Sequence, residues 1–218
     1  MTDIARIYRD RFKQTGHERR DRVWKVLCAS FFDRRIAGGA SVLELACGYG
    51  EFINNVAAGR KFAVDINPDA AGYVSPEVTF FNLSATDLDQ VGREMVDVVF
   101  TSNFFEHLSD KKECDDVLAA VMGILKPGGK LIVMGPNIRY AYREYWNFYD
   151  HCLPLSDLSM AEGLRIAGFR IEENIPRFLP FTMHNKIPTH AILVRTYLAL
   201  PVVWKFLGKQ FLITAVKP

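Results

Sequence analysis

A short glycine-bearing segment, residues 42–52, has the residue types of a loop that binds a nucleoside. Residues 42–46 form a short apolar run, typical of a strand buried on both faces of a parallel sheet. Gly48 and Gly50 have no Cβ, so the chain can turn at positive φ and a ligand can lie directly against its backbone. A helix beginning near Glu51 would point its unbonded N–H groups toward that ligand. The pattern predicts a binding site at the carboxyl end of this strand.

Two carboxylates near the loop indicate which nucleoside it holds. Asp65 lies fifteen residues after Gly50 and ends the next apolar run, where a carboxylate can accept both hydroxyl groups of a ribose. Glu44 lies inside the first strand, where it would repel a pyrophosphate and attract a cationic α-amino group. Ile53 stands where the dinucleotide fingerprint has its third glycine. These residues predict S-adenosylmethionine as the cofactor.

The same residues resemble the motifs of the class I S-adenosylmethionine-dependent methyltransferases. The family's first motif, E/D-x-G-x-G-x-G, becomes E-L-A-C-G-Y-G at residues 44–50, with Ala46 in place of the first glycine. This substitution is small, so we expect the loop to survive it. Residues 96–103 resemble the fourth-strand motif, and residues 125–133 resemble the turn into the fifth strand. The resemblance is close over about 40–137 and looser over 151–218.

The resemblance implies an α/β fold, a doubly wound Rossmann-like sheet of seven strands, mostly parallel with an antiparallel last strand. The family's sites lie at the carboxyl ends of the strands, so Glu44, Asp65, Asn103 and Asn137 should converge on one edge. The predicted cofactor-binding residues are Glu44, Ala46, Gly48, Gly50, Asp65, Ile66, Ala85, Thr86 and Asn103. The loop at 84–87, S-A-T-D, is also typical of a turn whose side chains bond its own backbone.

The apolar pattern of the chain independently predicts a layered α/β arrangement. Strands are predicted near 41–46, 61–65, 78–82, 95–101, 130–135, 169–176 and 210–216. Helical spacing predicts an amphipathic helix at about 18–35. Asp110 with Glu113, and Ser159 with Glu162, predict capping boxes for two further helices. Alternating strands and helices predict a parallel sheet covered on both faces.

Two histidines, His107 and His151, are the candidate catalytic residues. Methyl transfer mainly requires an aligned nucleophile and exclusion of water, and it needs a base when the acceptor is a hydroxyl or a protonated amine. His107 follows Glu106 just past the fourth predicted strand, and His151 follows Asp150 in a later loop. The alternative for each is a partly buried histidine with one satisfied nitrogen.

A divalent metal is not predicted. Some methyltransferases that this chain resembles bind a metal through E-x-x-E-H, but residues 103–107 read N-F-F-E-H, with Asn103 in place of the first acid. A hard cation favours carboxylate oxygens, so the loss of one weakens such a site.

Composition is typical of one globular domain over residues 1–218. The hydrophobic content of 49% is enough for one core, with a helical segment at 1–38 and a helical insert at 180–208 before the last strand. The 27 basic and 25 acidic residues predict no basic face, so nucleic acid is not an expected partner. Charges and a proline interrupt residues 192–216, which argues against a transmembrane segment.

The sequence also gives expectations about the cellular compartment and about three further segments of the chain. Four cysteines without C-x-x-C spacing, and no secretory signal pattern, favour the cytoplasm. Tyr8, Arg11 and Phe12 could form a lid over the cofactor. The insert at 180–208 could pack on the domain, form a homodimer contact or rest on a bilayer. Six aromatic residues within 140–149 could contact an acceptor or pack on the core.

The predicted function is methyl transfer from S-adenosylmethionine to oxygen or nitrogen of a small molecule or glycan precursor. The later part of the chain loosely resembles bacterial methyltransferases associated with sugars and cell-surface polysaccharides. One alternative is a nicotinamide-dependent oxidoreductase, which Ile53 and Glu44 disfavour. Another is a methyltransferase-like module that binds the cofactor without turnover. The acceptor, the need for a base and the oligomeric state remain open.

Overall fold

A computed structural model of the protein describes residues 16–181 and 189–218. Seven strands form one sheet: β1 (Ser41–Leu45), β2 (Arg60–Asp65), β3 (Val78–Asn82), β4 (Val96–Ser102), β5 (Leu125–Pro136), β6 (Arg170–Ile175) and β7 (Gln210–Val216). Their order is β3-β2-β1-β4-β5-β7-β6. β7 runs antiparallel to β5 and β6, and the other pairs are parallel. The predicted Rossmann-like fold is confirmed.

Helices cover both faces of this sheet. They are α1 (His17–Ser30), α2 (Glu51–Asn55), α3 (Lys111–Ile124), α4 (Ile138–Tyr145), α5 (Asp157–Ile166), α6 (Ala191–Ala199) and α7 (Pro201–Leu207). Alternate residues of β1 point to opposite faces, as the two-residue period of a strand requires. Leu43 packs in one apolar cluster with Leu118 of α3, whereas Val42 packs in a second with Leu27 of α1 and Phe52 of α2. The sheet is therefore buried on both faces. Because β1 to β4 run parallel, the loops that follow them lie at the same edge of the sheet.

Several predicted boundaries need correction. The first helix ends at Ser30 rather than near residue 35, because the backbone leaves the helical region at Phe31 and a 3₁₀ turn (Phe32–Arg34) follows. α5 is capped by Ser156 rather than Ser159, since the Ser156 hydroxyl accepts from the Ser159 N–H and the Ser159 hydroxyl accepts from the Ser156 N–H.

Two further elements differ in detail from their predictions. Asp110 caps α3 as predicted, but the Glu113 carboxylate accepts from Ser109 instead of closing the capping box. β5 begins at Leu125, five residues before the predicted start, and its register against β4 shifts at residues 126–129. Gly128, at φ 75°, allows this irregularity.

The two ends of the predicted insert are described, and they form α6, α7 and the chain leading out of β6. Residues 182–188 within the insert lie outside the described residues, as do Tyr8, Arg11 and Phe12 of the predicted lid. Across 16–181 and 189–218, no helix has the length and apolar character needed to cross a membrane.

Candidate functional site

The loop after β1 has the backbone conformation that its glycines predict. Ala46, Gly48 and Gly50 have φ of 56°, 52° and 66°. Ala46 thus adopts a left-handed conformation that favours glycine, and the loop forms despite its Cβ. Gly50 directly precedes α2, whose first N–H groups border the loop. The result is a half-buried backbone surface at Ala46 and Gly48 against which a flat ligand can lie.

Asp65 fastens this loop to the end of β2. Its two carboxylate oxygens accept from the N–H groups of Gly48 and Asn67, each at 2.8 Å. Burial raises the pKa of Asp65, and the two backbone hydrogen bonds oppose that rise. Each oxygen keeps a second lone pair for a further donor. The carboxylate therefore both shapes the loop and can receive hydroxyl groups.

Glu44 links β1 to the first turn of α2. Its Oε2 accepts from the N–H of Ile53 at 2.9 Å, and the residue is only 4% exposed. Burial raises the pKa of Glu44 well above its usual range, against the lowering effect of the Ile53 hydrogen bond. A nearby cation would stabilise the ionised form of this carboxyl.

A cavity of about 570 Å³ lies over the ends of β1 and β4. This volume suits a small-molecule ligand. The site residues predicted from sequence that line it are Glu44, Ala46, Gly48, Asn103, His107 and His151. Gly50, Asp65, Ile66, Ala85 and Thr86 are not part of this lining.

Asp65 ends β2, Ile66 follows it, and Ala85 and Thr86 lie in the loop after β3. Asp65 is in register with Asn82, whose amide donates to the carbonyls of Asp65 and Ile66 at 2.9 and 3.0 Å. The Ser84 and Thr86 hydroxyls are 3.0 Å apart, so the loop at 84–87 makes the self-bonded turn that was one of its alternatives. The backbone at Ala85 and the exposed side chain of Ile66 keep their binding role as predictions.

Two buried oxygens on the cavity wall fit a ligand that donates hydrogen bonds. Asn103 Oδ1 and Glu106 Oε1 accept no hydrogen bond from any residue in the described ranges. Asn103 also has positive φ, at 51°, and its N–H donates to Met134. Buried polar atoms are almost always paired, so these acceptors point to a bound donor. An ammonium group such as that of S-adenosylmethionine meets this requirement.

His107 lies in a 3₁₀ turn (Phe105–His107), and its ring contacts Asp150 in the loop after α4. His107 Nδ1 is 3.2 Å from the Asp150 carboxylate and 3.1 Å from the Asp150 carbonyl oxygen. Both partners can only accept, so Nδ1 carries hydrogen and the neutral ring keeps its lone pair on Nε2. Burial lowers the pKa of His107, but Asp150 and the charge of Glu106 outweigh burial and raise it.

His151 faces the same cavity from an aromatic surround. Its ring centroid is 5.0 Å from that of His107, 4.7 Å from Phe148 and 4.6 Å from Tyr145. The residue is 8% exposed. Backbone N–H groups of Cys152 and Leu153 donate to the Glu106 carbonyl, which fixes the loop carrying His151 against the 3₁₀ turn. The structure brings both predicted histidines together.

Glu106, the acid of the N-F-F-E-H segment, also belongs to this cluster. Burial raises its pKa to about 7, partly offset by the charge of His107. One ligand-type atom from each of Glu106, His107 and His151 lies within 4.8 Å of the others, a spacing that could hold a cation. The expectation of no metal stays a prediction.

The sequence predicted no role in the site for Asp150 or for Arg20, which lines the cavity. Arg20 pairs with Glu51 at 2.7 Å and lies 5.1 Å from the Tyr49 ring centroid. The tandem acid-histidine pairs at 106–107 and 150–151 are a sequence signal that could have indicated Asp150.

Two other expectations are modified. Asn137 was expected to converge with Glu44, Asp65 and Asn103, but it is fully buried and bonds Asp157 instead of lining the cavity. The aromatic segment divides, with Phe148 on the cavity wall and Tyr145 buried. Its exposed aromatic residues are Tyr142, Trp146 and Tyr149.

Comparison with known proteins identifies the domain. Residues 43–133 match the sequence profile of a methyltransferase domain. The chain therefore contains a methyltransferase domain over these residues. The oxidoreductase and non-catalytic alternatives are therefore set aside. No curated protein matches the methyltransferase.

Solved structures share the fold of this methyltransferase. A chain from the complex of the Haloferax volcanii Trm112 methyltransferase activator with a methyltransferase has a TM-score of 0.66 and 20% identity, over 91% of each chain. A SAM-dependent methyltransferase from Archaeoglobus fulgidus has a TM-score of 0.63 and 20% identity, over 87% of this chain and 93% of its own. The N-methyltransferase NodS from Bradyrhizobium japonicum, in complex with S-adenosyl-l-homocysteine, has a TM-score of 0.64 and 14% identity, over 95% and 91%.

Proposed function

We propose that this methyltransferase acts on an oxygen or nitrogen atom of a small molecule or glycan precursor, with His107 as general base. The observation that carries the proposal is the contact of His107 Nδ1 with Asp150, in the wall of the same cavity as the glycine loop. This contact leaves Nε2 as the proton acceptor of the neutral ring. An acceptor hydroxyl or ammonium group must lose a proton when it is methylated, and a positioned imidazole can take it.

In this proposal, different residues of the site bind the two ends and the centre of the cofactor. When bound, S-adenosylmethionine supplies an electrophilic methyl group on a sulfonium centre. In the proposal, Glu44 and Asn103 receive the ammonium end, and the backbone at Gly48 and Gly50 supports the centre of the molecule. Asp65 receives the ribose hydroxyls, and the loop at 84–87 borders the adenine. Support comes from the unpaired Asn103 oxygen and from the second lone pairs of Asp65.

The acceptor would lie on the histidine side of the cavity. Phe148 and Phe181, whose ring centroids lie 4.7 and 6.3 Å from that of His151, line this region and limit the access of water. A flat or ring-shaped acceptor can contact such rings, while Nε2 of His107 lies on the polar side. This arrangement supports a small acceptor more than a polymer.

An acceptor screen tests the proposal. Purified protein with S-adenosylmethionine is incubated with small alcohols, phenols, amines, sugars and sugar nucleotides, and S-adenosylhomocysteine is measured. We expect acceptor-dependent product formation with at least one hydroxyl or amine compound. Turnover only with thiols or carbon acids would contradict the proposal, because the methyl group would then go to sulfur or carbon instead of oxygen or nitrogen.

A further inference from the structure

The outer face of α6 and α7 exposes an unusual amount of apolar side chain. Six large apolar residues within 192–207 are between 46% and 76% exposed: Ile192, Leu193, Leu200, Val202, Phe206 and Leu207. Exposed apolar residues scattered singly are normal, but a cluster of this density marks a contact surface.

The chain segment that carries this face has charges of one sign. Residues 174–218 contain six lysines and arginines and no aspartate or glutamate, so all 25 acidic residues of the chain lie in 1–173. Arg195 and Lys205 are exposed on α6 and α7 themselves. A pair of helices that presents apolar and cationic side chains and carries no acid of its own is complementary to an anionic lipid leaflet.

The two helices are held firmly enough to present this face. Leu198 and Trp204 are buried, and the Trp204 indole donates to the carbonyl of Tyr197 at 2.8 Å. Arg177 donates to the carbonyls of Phe206 and Gly208, which caps the end of α7. The inner side chains therefore anchor the helices on the domain, and the outer ones contribute nothing to its core.

The exposed face borders the cavity, and an ion pair links the end of α7 to the helix that precedes the exposed Trp146. Leu193 and Leu207 are half exposed and also line the cavity. Trp146 is exposed just after α4, whose Glu144 pairs with Lys209 just after α7. Tryptophan with one polar edge is enriched at the boundary between lipid and water.

We propose that the outer face of α6 and α7 binds the surface of an anionic lipid bilayer. Ile192, Val202 and Phe206 would enter the boundary between headgroups and acyl chains, while Arg195 and Lys205 contact lipid phosphates. Apolar burial and charge attraction together determine the strength of such interfacial binding. The cavity mouth would then face the membrane.

Vesicle co-sedimentation tests this, comparing vesicles of phosphatidylcholine alone with vesicles that also contain phosphatidylglycerol. The full chain should sediment with the anionic vesicles, and added salt should weaken that binding. Ile192→Glu should lower the partition coefficient roughly tenfold or more, because it removes apolar burial and adds a repelled charge. Lys205→Gln should lower it about fivefold, since one cation near an anionic leaflet contributes about 1 kcal/mol.

Ile166→Glu is the matched control, because Ile166 lies on α5 and is 78% exposed, against 75% for Ile192. It introduces the same charge change and should leave vesicle binding unchanged. Equal loss in both variants, or no binding of the wild type to anionic vesicles, would overturn the proposal. So would a dimer in sedimentation velocity that Ile192→Glu dissociates without any effect on vesicle binding.

Discussion

The imidazole of His107 lies 3.2 Å from the carboxylate of Asp150, 43 residues further along the chain. This contact fixes which ring nitrogen carries the proton and raises the pKa of the imidazole against the effect of burial. His107 and the loop after β1 line the same cavity. The pair therefore joins a base of defined tautomer to the region proposed for the cofactor.

Asp150→Asn should shift the pH dependence of the reaction. Asp150 raises the pKa of His107, so the uncharged amide should lower it, and the rise of kcat/KM with pH should move to lower pH. The plateau should fall as well, by up to roughly 10²-fold, since the tautomer is no longer fixed. The measurement is a pH profile with an identified acceptor.

Asp150→Glu is the matched variant, because it keeps a carboxylate and should keep the midpoint near that of the wild type. Glu106, with a pKa raised to about 7, lies in the same cluster, so Glu106→Gln serves as a second reference profile. An unchanged midpoint in Asp150→Asn would remove Asp150 from the role proposed for it.

Asp65→Ala should weaken cofactor binding by about 1.5 to 3 kcal/mol, since hydrogen bonds to a charged group are lost. It should also lower the free energy of unfolding by about 1 to 3 kcal/mol, because the N–H groups of Gly48 and Asn67 lose their acceptor. Calorimetry with S-adenosylmethionine and denaturant unfolding without it separate the two effects. Asp89→Ala, at an exposed acid, should change neither. Wild-type affinity in folded Asp65→Ala would exclude the ribose role.

Glu44→Gln should distinguish the two roles of Glu44. The amide keeps an oxygen for the Ile53 N–H but removes the charge opposite an ammonium group, so affinity for S-adenosylmethionine should fall. Binding of 5′-methylthioadenosine, which lacks that ammonium, should change little. Calorimetry with both ligands measures the difference. Equal losses would mean that Glu44 serves only to anchor α2.

Ala46→Gly should stabilise the protein. The left-handed conformation at Ala46 costs roughly 1 to 2 kcal/mol, and the greater entropy of unfolded glycine offsets part of the gain. We therefore expect the free energy of unfolding to rise by about 0.5 to 1 kcal/mol. The same substitution at Ala119, exposed within α3, should lower it by about 1 kcal/mol. A less stable Ala46→Gly variant would contradict this account of the loop.

The fold and the glycine loop were predictable because their signals are local. Each strand appears as an apolar run between breaks, and the positive φ at Gly48 and Gly50 follows from the absence of a Cβ. Ala46 also has a positive φ, although a residue with a Cβ favours negative φ. The start of α5 was mispredicted because Ser156 and Ser159 are both residue types that cap helices, and the structure shows that they form the capping box together.

The histidine cluster was predictable only in part. His107 and His151 were candidates by position, but their approach depends on how the loop after α4 packs. That packing is determined by the backbone hydrogen bonds of Cys152 and Leu153 to Glu106, which leave no trace in residue periodicity. The contact of Asp150 with His107 follows from the same docking. Pairing across 43 residues is a tertiary property of the chain.

Turnover of His107→Ala tests the proposed general base most directly. With an identified acceptor and S-adenosylmethionine, the rate is compared with that of the wild type across pH, with and without EDTA. We predict a decrease of roughly 10² to 10⁴-fold with little change in cofactor affinity, and no effect of EDTA on the wild type. Near-normal turnover of His107→Ala would contradict a general base at this position, and loss of wild-type activity in EDTA would assign the cluster of Glu106, His107 and His151 to a metal.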